Sequence, residues 1–331
     1  MKRLLLALLA GLSTGLMTGV TMAEPARVPS EPLARPAVAG AHALQGAILG
    51  TARAGARIVG VGERGIVLLS DDQGRSFRQA AAVPVDVTLT SVSFADERRG
   101  WAVGHWGVVL ATTDGGEHWA VQRRDPNVDR PLFAVHFSDA RRGVAVGLWS
   151  LVLVTDDGGV QWRAVELPPA PGSPKADLNL FGLFADDGGR LYAPGEKGVV
   201  LTSGDRGATW RYLVTGYQGS LWAGAALPGG ALLAGGLRGS LYRSEDGGRS
   251  WTRIDTGSKA SITAIAVQGE QVVAVGFDGL VLRSSDGGRR FAAEPATTAA
   301  ALSGVVLADG GRPVMFSRQG PLPPSGPAQV K

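Results

Sequence analysis

The chain has 331 residues, 44% of them hydrophobic and 19% charged, with 49 glycines and no cysteine. This composition supplies a large core and many tight turns, and it excludes disulfides, thiolate metal sites and thiol catalysis. A formal charge of +4 is too weak to indicate nucleic acid, whose binders concentrate basic residues in a patch or stripe.

Residues 1–23 read as a secretory signal. Lys2 and Arg3 give the positive end, "LLLALLAGLSTGLMTGV" the apolar stretch, and "TMA" the small residues before a cut after Ala23. The apolar run is short for a spanning helix and is broken by Gly, Ser and Thr. The protein is therefore expected to be exported, to the periplasm or another extracytoplasmic space. Residues 24–43 form a short N-terminal segment before the repeats.

From residue 44 to about 320 the chain repeats itself. "VGERGIVLLSDDQGRSF" starts at Val61, "VGHWGVVLATTDGGEHW" at Val103 and "VGLWSLVLVTDDGGVQW" at Val146. "PGEKGVVLTSGDRGATW" follows at Pro194, "GGLRGSLYRSEDGGRSW" at Gly235 and "VGFDGLVLRSSDGGRRF" at Val275. The shared aspartates, Asp72, Asp114, Asp157, Asp205, Asp246 and Asp286, are 42, 43, 48, 41 and 40 residues apart. That period is the propeller-blade range. Each unit reads as four strands, with no room for helices between turns.

The innermost strands align as "LTSVSF" (89–94), "LFAVHF" (132–137), "LFGLFA" (180–185), "LWAGAA" (221–226), "ITAIAV" (262–267) and "LSGVVL" (302–307). Their third residues, Ser91, Ala134, Gly182, Ala223, Ala264 and Gly304, are all small, as strands converging on one axis require. "LQGAIL" (44–49) reads as a seventh copy. The fold is thus an all-β, seven-bladed propeller, with a six-bladed ring and a loose C-terminal appendage as the alternative. The last blade runs into "RQGPLPPSGPAQVK", too proline-rich for an interior strand. An open blade would leave an unpaired edge, so residues around 25–40 are expected to return as its outer strand. Residues 321–331 are left as a proline-rich tail.

The turn pattern S/T-x-D-x-G-x-x-W/F occurs six times and is identified as the Asp-box, or BNR repeat, of sialidases and several non-enzymatic propellers. An aspartate in a turn accepts backbone N–H bonds and fixes it, and the preceding hydroxyl bonds locally. A catalytic aspartate is needed once, whereas copies around a ring cannot share a substrate. The six aspartates are read as structural, and no catalytic residue, metal site or cofactor is expected. "GVGERG" at Gly60 matches a dinucleotide fingerprint but is followed by a strand, "IVLLSDD", instead of a helix. His42, His105, His118 and His136 have no metal-ligand spacing.

A meander sends alternate turns to opposite faces. The face with the aspartate turns carries Arg98, Arg99, Arg141 and Arg142, each cluster beside acids, which reads as a solvated surface. The other face carries the G-x-x-G turns, whose tips present Arg64, His105, Trp106, Trp149, Lys197, Arg238 and Phe277. The connection "VQRRDPNVDRPLF" adds Arg123, Arg124 and Arg130, and Phe133, Phe181 and Trp222 share one register of neighbouring inner strands. Tryptophan and arginine are enriched in binding hot spots, so this face is the expected partner surface. The alternative is a glycan-binding or sialidase-type propeller, with the tryptophans stacked on sugar rings.

The Asp-box joined to V-G-x-x-G-x-V-L, as in "GWAVGHWGVVLATTDGGEHW" and "GVAVGLWSLVLVTDDGGVQW", resembles the photosystem II stability/assembly factor family. The resemblance spans about residues 44–320 and implies a non-enzymatic propeller that binds assembly intermediates of a membrane protein complex through an arginine-rich surface. No individual arginine is carried over. A monomeric protein-binding factor for a membrane complex, with no nucleic acid partner, is the resulting expectation.

Overall fold

The computed structural model describes residues 31–296 and 298–323; the segment read as a signal, and residues 324–331 of the tail, lie outside them. Seven antiparallel sheets follow one another in chain order, each a meander beginning at its inner strand. Six have four strands and the seventh has three. This is the seven-bladed propeller, and the six-bladed alternative is excluded. The inner strands are Ile48–Ala54, Leu89–Phe94, Leu132–Phe137, Phe184–Ala185, Leu221–Ala226, Ile262–Gln268 and Leu302–Leu307.

The second and third strands of a blade are covered on both sides by neighbouring blades. They therefore read as continuous apolar runs with no alternation. Gly100–Gly104, Gly143–Gly147, Val67–Ser70 and Val152–Thr155 are buried along their whole length. Outer strands such as Arg163–Ala164 are exposed. The core is a set of layers between blades; Val144, Val154, Leu191 and Leu201, for example, join the third blade to the fourth.

The first residue of every inner-strand repeat, Ile48, Leu89, Leu132, Leu180, Leu221, Ile262 or Leu302, is fully buried. Each such side chain contributes about 1.5–3 kcal/mol. Small third residues are explained by the neighbouring inner strand. A Cβ on Gly50 would lie 2.6 Å from Ser91 Cα, and one on Gly304 would lie 2.9 Å from Thr51 Cγ2.

Two expectations change. The first inner strand starts at Ile48, not Leu44: Ile48 pairs with Gly62 and Gly50 with Val61, the same shifted register as Leu89 with Gly104 and Ser91 with Val103. "ILGTAR" is therefore the true copy. Among the described residues, the outermost strand of the last blade is not residues 31–40 but Gly320–Pro321, paired with Ser317 and Phe316, where proline is tolerated at the sheet edge. Residues 25–30 of the segment expected to return there lie outside the described residues.

Among the described residues, 31–45 contain one helical turn, Glu31–Ala34, and one 3-10 turn, Ala41–Gln45, and no strand. The 3-10 turn lies against the last blade, close enough that a Cβ on Gly320 would sit 2.0 Å from Leu44 O. The edge is thus covered by a turn. Blades 7 and 1 join through side chains. Ser303 Oγ donates to the Ile48 carbonyl, Arg53 Nη1 donates to Leu307 O at 2.9 Å, and Phe77 meets Phe316 edge-on at 5.4 Å.

Candidate functional site

The six aspartate turns have one geometry. The hydroxyl two residues earlier, on Ser70, Thr112, Thr155, Ser203, Ser244 or Ser284, donates to the aspartate Oδ1 at 2.8 Å. The same hydroxyl accepts the N–H of the glycine two residues later; Gly207 N to Ser203 Oγ is 2.8 Å. Oδ1 also accepts the N–H four residues on, at 2.9 Å from Thr209 and from Ser250 and 3.0 Å from Arg290. In three turns the following tryptophan donates Nε1 back to the glycine carbonyl, as Trp119 does to Gly116 O at 2.8 Å.

These bonds favour the ionised form. Thr209's hydroxyl, then its N–H and Ser203, outweigh burial and hold the Asp205 carboxyl down at about 2. Ser76 and Ser250 do the same for Asp72 and Asp246. The Asp157 and Asp286 carboxyls are lowered mainly by backbone N–H bonds from Gln161 and Arg290. At Asp114 burial pushes upward, and the bonds from His118 and Thr112 overcome it. An acid held this far below neutrality is a poor proton donor or acceptor at pH 7. Its oxygens are taken up by the turn.

On the opposite face, the hairpin tips of blades 1 to 6 are two-residue loops in the left-handed region. Arg64 (φ 54°), Trp106 (58°), Trp149 (51°), Lys197 (53°), Arg238 (57°) and Asp278 (56°) occupy the first position. Gly65, Gly107, Gly198, Gly239 and Gly279 occupy the second in five tips, and Ser150 (φ 55°) occupies it beside Trp149. Such hairpin turns favour asparagine followed by glycine; bulky residues there are uncommon and strained. The connections between blades hold several tips in place. Asp129 accepts from Trp106 N at 2.6 Å and bonds His105 Nδ1 at 2.8 Å, and Asn179 accepts from Trp149 N at 2.9 Å.

The residues expected at a partner surface separate into two groups. Trp106 is half-buried and packs against the core between the first two blades. Arg123 donates to Gly107 O at 2.6 Å, Arg124 to Leu33 O at 3.0 Å and Arg130 to Trp149 O at 2.8 Å. These arginines stitch loops together. Residues 33–37 lie across this part of the face: Leu33 is buried there, Arg35 pairs with Asp86 at 2.6 Å, and Ala37 N donates to Val83 O at 3.0 Å. Arg64 stands 3.6 Å from the same carboxylate.

Trp149, by contrast, is 57% exposed. It borders a groove of about 290 Å³ lined by Arg130, Leu151, Val165 and Leu167. Lys197 and Arg238 are exposed, and Phe277 is half-buried. Among the described residues no three His, Cys, Asp or Glu side chains converge to hold a metal ion. His136, in an inner strand, is pushed below its ordinary value by burial and is neutral at pH 7.

The left-handed tips are a feature that sequence reasoning missed. A residue–glycine pair between two apolar runs was the available signal, but Arg, Trp and Lys do not announce that conformation as asparagine does.

The family model for Photosynthesis system II assembly factor YCF48 matches residues 70–262. Among solved structures, YCF48 bound to D1 peptide superposes with a TM-score of 0.68 at 19% identity, covering 86% of this chain and 97% of that one. YCF48 from Cyanidioschyzon merolae superposes with a TM-score of 0.67 at 19% identity, covering 84% and 94%. At that identity the likeness establishes the fold. No curated protein matches the sequence.

Proposed function

Because the chain belongs to the photosystem II assembly factor family, we propose that it is an exported, non-enzymatic propeller that holds a subunit of a membrane protein complex during assembly. The hairpin-tip face is the surface it uses. The observation that carries this reading is Trp149, a large apolar side chain more than half exposed and kept in a backbone conformation that disfavours it. Folding gains little from a tryptophan there, whereas a partner can bury it. The groove beside it supplies apolar walls from Leu151, Val165 and Leu167. One similar structure holds D1 peptide, so a peptide segment is the form in which the partner is proposed to be held. The aspartate turns are proposed to act only in the fold.

The test is affinity capture from the membrane and periplasmic extract of the native host, with wild type beside Trp149→Ala. A membrane-complex subunit recovered by wild type and depleted about tenfold or more with the variant, the mark of a hot spot, supports the proposal. Equal recovery by both proteins would remove Trp149 from the site. Recovery of no membrane subunit by wild type would sink the assembly reading.

A further inference from the structure

The second residue of each inner-strand repeat lies at the hairpin-tip end of the ring, and on six of the seven blades it belongs to one of two kinds; blade 1 carries Leu49 there. On blades 2, 6 and 7 a hydroxyl reaches the next blade. Thr90 Oγ1 donates to Leu132 O at 2.6 Å, Thr263 Oγ1 donates to Leu302 O at 2.8 Å, and Ser303 Oγ donates to Ile48 O. Blades 3, 4 and 5, which are consecutive, carry Phe133, Phe181 and Trp222 at this position. These rings meet across blade boundaries. Phe133 and Phe181 stack with centroids 5.7 Å apart, and Trp222 meets Phe277, from the tip of blade 6, at 5.8 Å. The Arg318 guanidinium lies over the Phe277 ring at 5.8 Å.

All four rings are only partly buried. Closure of the ring does not need them, since blades 2, 6 and 7 bridge with a small hydroxyl and blade 1 carries an aliphatic side chain, Leu49. Their cationic neighbours are also uncommitted. Lys197, Arg238 and Arg318 are exposed, and among the described residues none is in an ion pair. Two acids stand near them: Asp278 at the tip beside Phe277, and Asp255, which precedes Thr256, whose hydroxyl bonds Gly239 O next to Arg238. Glu196, next to Lys197, is already bonded by Asn179.

We propose that this arc is a peptide subsite, which takes an aromatic or large aliphatic side chain flanked by carboxylates from an acidic, extended segment of a partner protein. The aromatic faces receive the apolar anchor. The unpaired cations select neighbouring acids and speed the encounter. The inference rests on reading the hairpin-tip face as the partner surface, and it adds the chemistry of the segment held.

The probe is a fluorescein-labelled, end-blocked peptide of about twelve residues, long enough to span several blade tips when extended, in which Phe alternates with Asp. Companion peptides replace every Phe by Ala or every Asp by Lys. Fluorescence anisotropy should show binding of the Phe–Asp peptide to the full chain, and both companions should bind about tenfold more weakly or worse. Phe181→Ala and Trp222→Ala should each lose about tenfold. The double variant Lys197→Gln/Arg318→Gln, confined to the surface and so safe for folding, should lose about threefold and show a flatter salt dependence.

Absence of binding by wild type, or affinities unchanged in both the surface double variant and the ring variants that still melt cooperatively, would overturn the subsite. Host capture separates this inference from the assembly reading. A membrane subunit captured equally well by the ring variants would sink the subsite and leave that reading standing. Peptide binding lost in those variants, with no membrane subunit captured by wild type, would do the reverse.

Discussion

If the tip side chains serve recognition at the expense of the fold, replacing them with the residue the turn prefers should stabilise the protein. Lys197→Asn and Arg238→Asn test this. Each residue stands at positive φ, 53° and 57°, directly before a glycine at 67° and 66°. Each substitution therefore creates an Asn-Gly loop, the pair that this two-residue hairpin favours most. A left-handed conformation costs an ordinary residue about 1–2 kcal/mol, of which asparagine recovers a part, about 0.5 kcal/mol per tip. Both side chains are exposed, so their removal costs no more than a few tenths of a kcal/mol.

The tips lie on different blades, so the gains should add, giving about 1 kcal/mol for the double variant. For a domain of this size that is about 2–4 °C in Tm, readable by calorimetry or by thermal melting in circular dichroism. Partner capture should weaken in the same variant, chiefly through slower association at low salt. A double variant less stable than wild type by about 1 kcal/mol would refute the reasoning, because the side chains would then be supporting the fold.

Acid should loosen the blades through the aspartate turns. Asp205, held at about 2 against about 3.9 in an unfolded chain, contributes stability that is fully present above about pH 4 and lost as pH falls toward 2. The other five turn aspartates are lowered as well. Urea midpoints should thus be level from pH 7 to 5 and drop steeply below 4; a level midpoint down to pH 2.5 would contradict this. Gly104→Ala should destabilise by about 2 kcal/mol or more, because its Cβ would lie 2.1 Å from Thr88 O, and melting would show it. Thr90→Val should cost about 1 kcal/mol, since Thr90 Oγ1 bonds both Val103 O and Leu132 O, with partner capture unchanged.

The blade count and the aspartate turns were legible because each is a local pattern repeated at a fixed period. What stayed hidden was whatever depends on contacts across blades. Leu44 and Gly46 imitate the first and third positions of an inner strand, and only pairing with Val61 and Gly62 shows that Ile48 and Gly50 fill them. Proline in "RQGPLPP" was a sound argument against an interior strand. It was not one against a two-residue edge strand backed by a 3-10 turn. Arg123, Arg124 and Arg130 looked free in sequence because the carbonyls that engage them, on Gly107, Leu33 and Trp149, lie 16, 91 and 19 residues away. Trp106 and Trp149 occupy equivalent turns, yet only the first packs against the core between blades 1 and 2. Sequence equivalence does not carry exposure with it.

The cations beside the aromatic arc differ from the paired arginines of the aspartate face in how fully they are already engaged, and that difference argues for the arc. On the aspartate face, Arg57 pairs with Asp71 at 2.6 Å, Arg99 with Asp96 at 2.7 Å and Arg142 with Asp139 at 3.3 Å. Asp96 and Asp139 in addition accept two N–H bonds each. A partner docking there would have to compete with these bonds, and exposed pairs exchanged for exposed pairs yield little net affinity. On the tip side, Lys197, Arg238 and Arg318 make no ion pair among the described residues, and Trp149 and the four rings of the arc present apolar surface that is already partly out of water. Each contact made there is a gain over the free protein, which is the condition for a few residues to dominate a binding free energy.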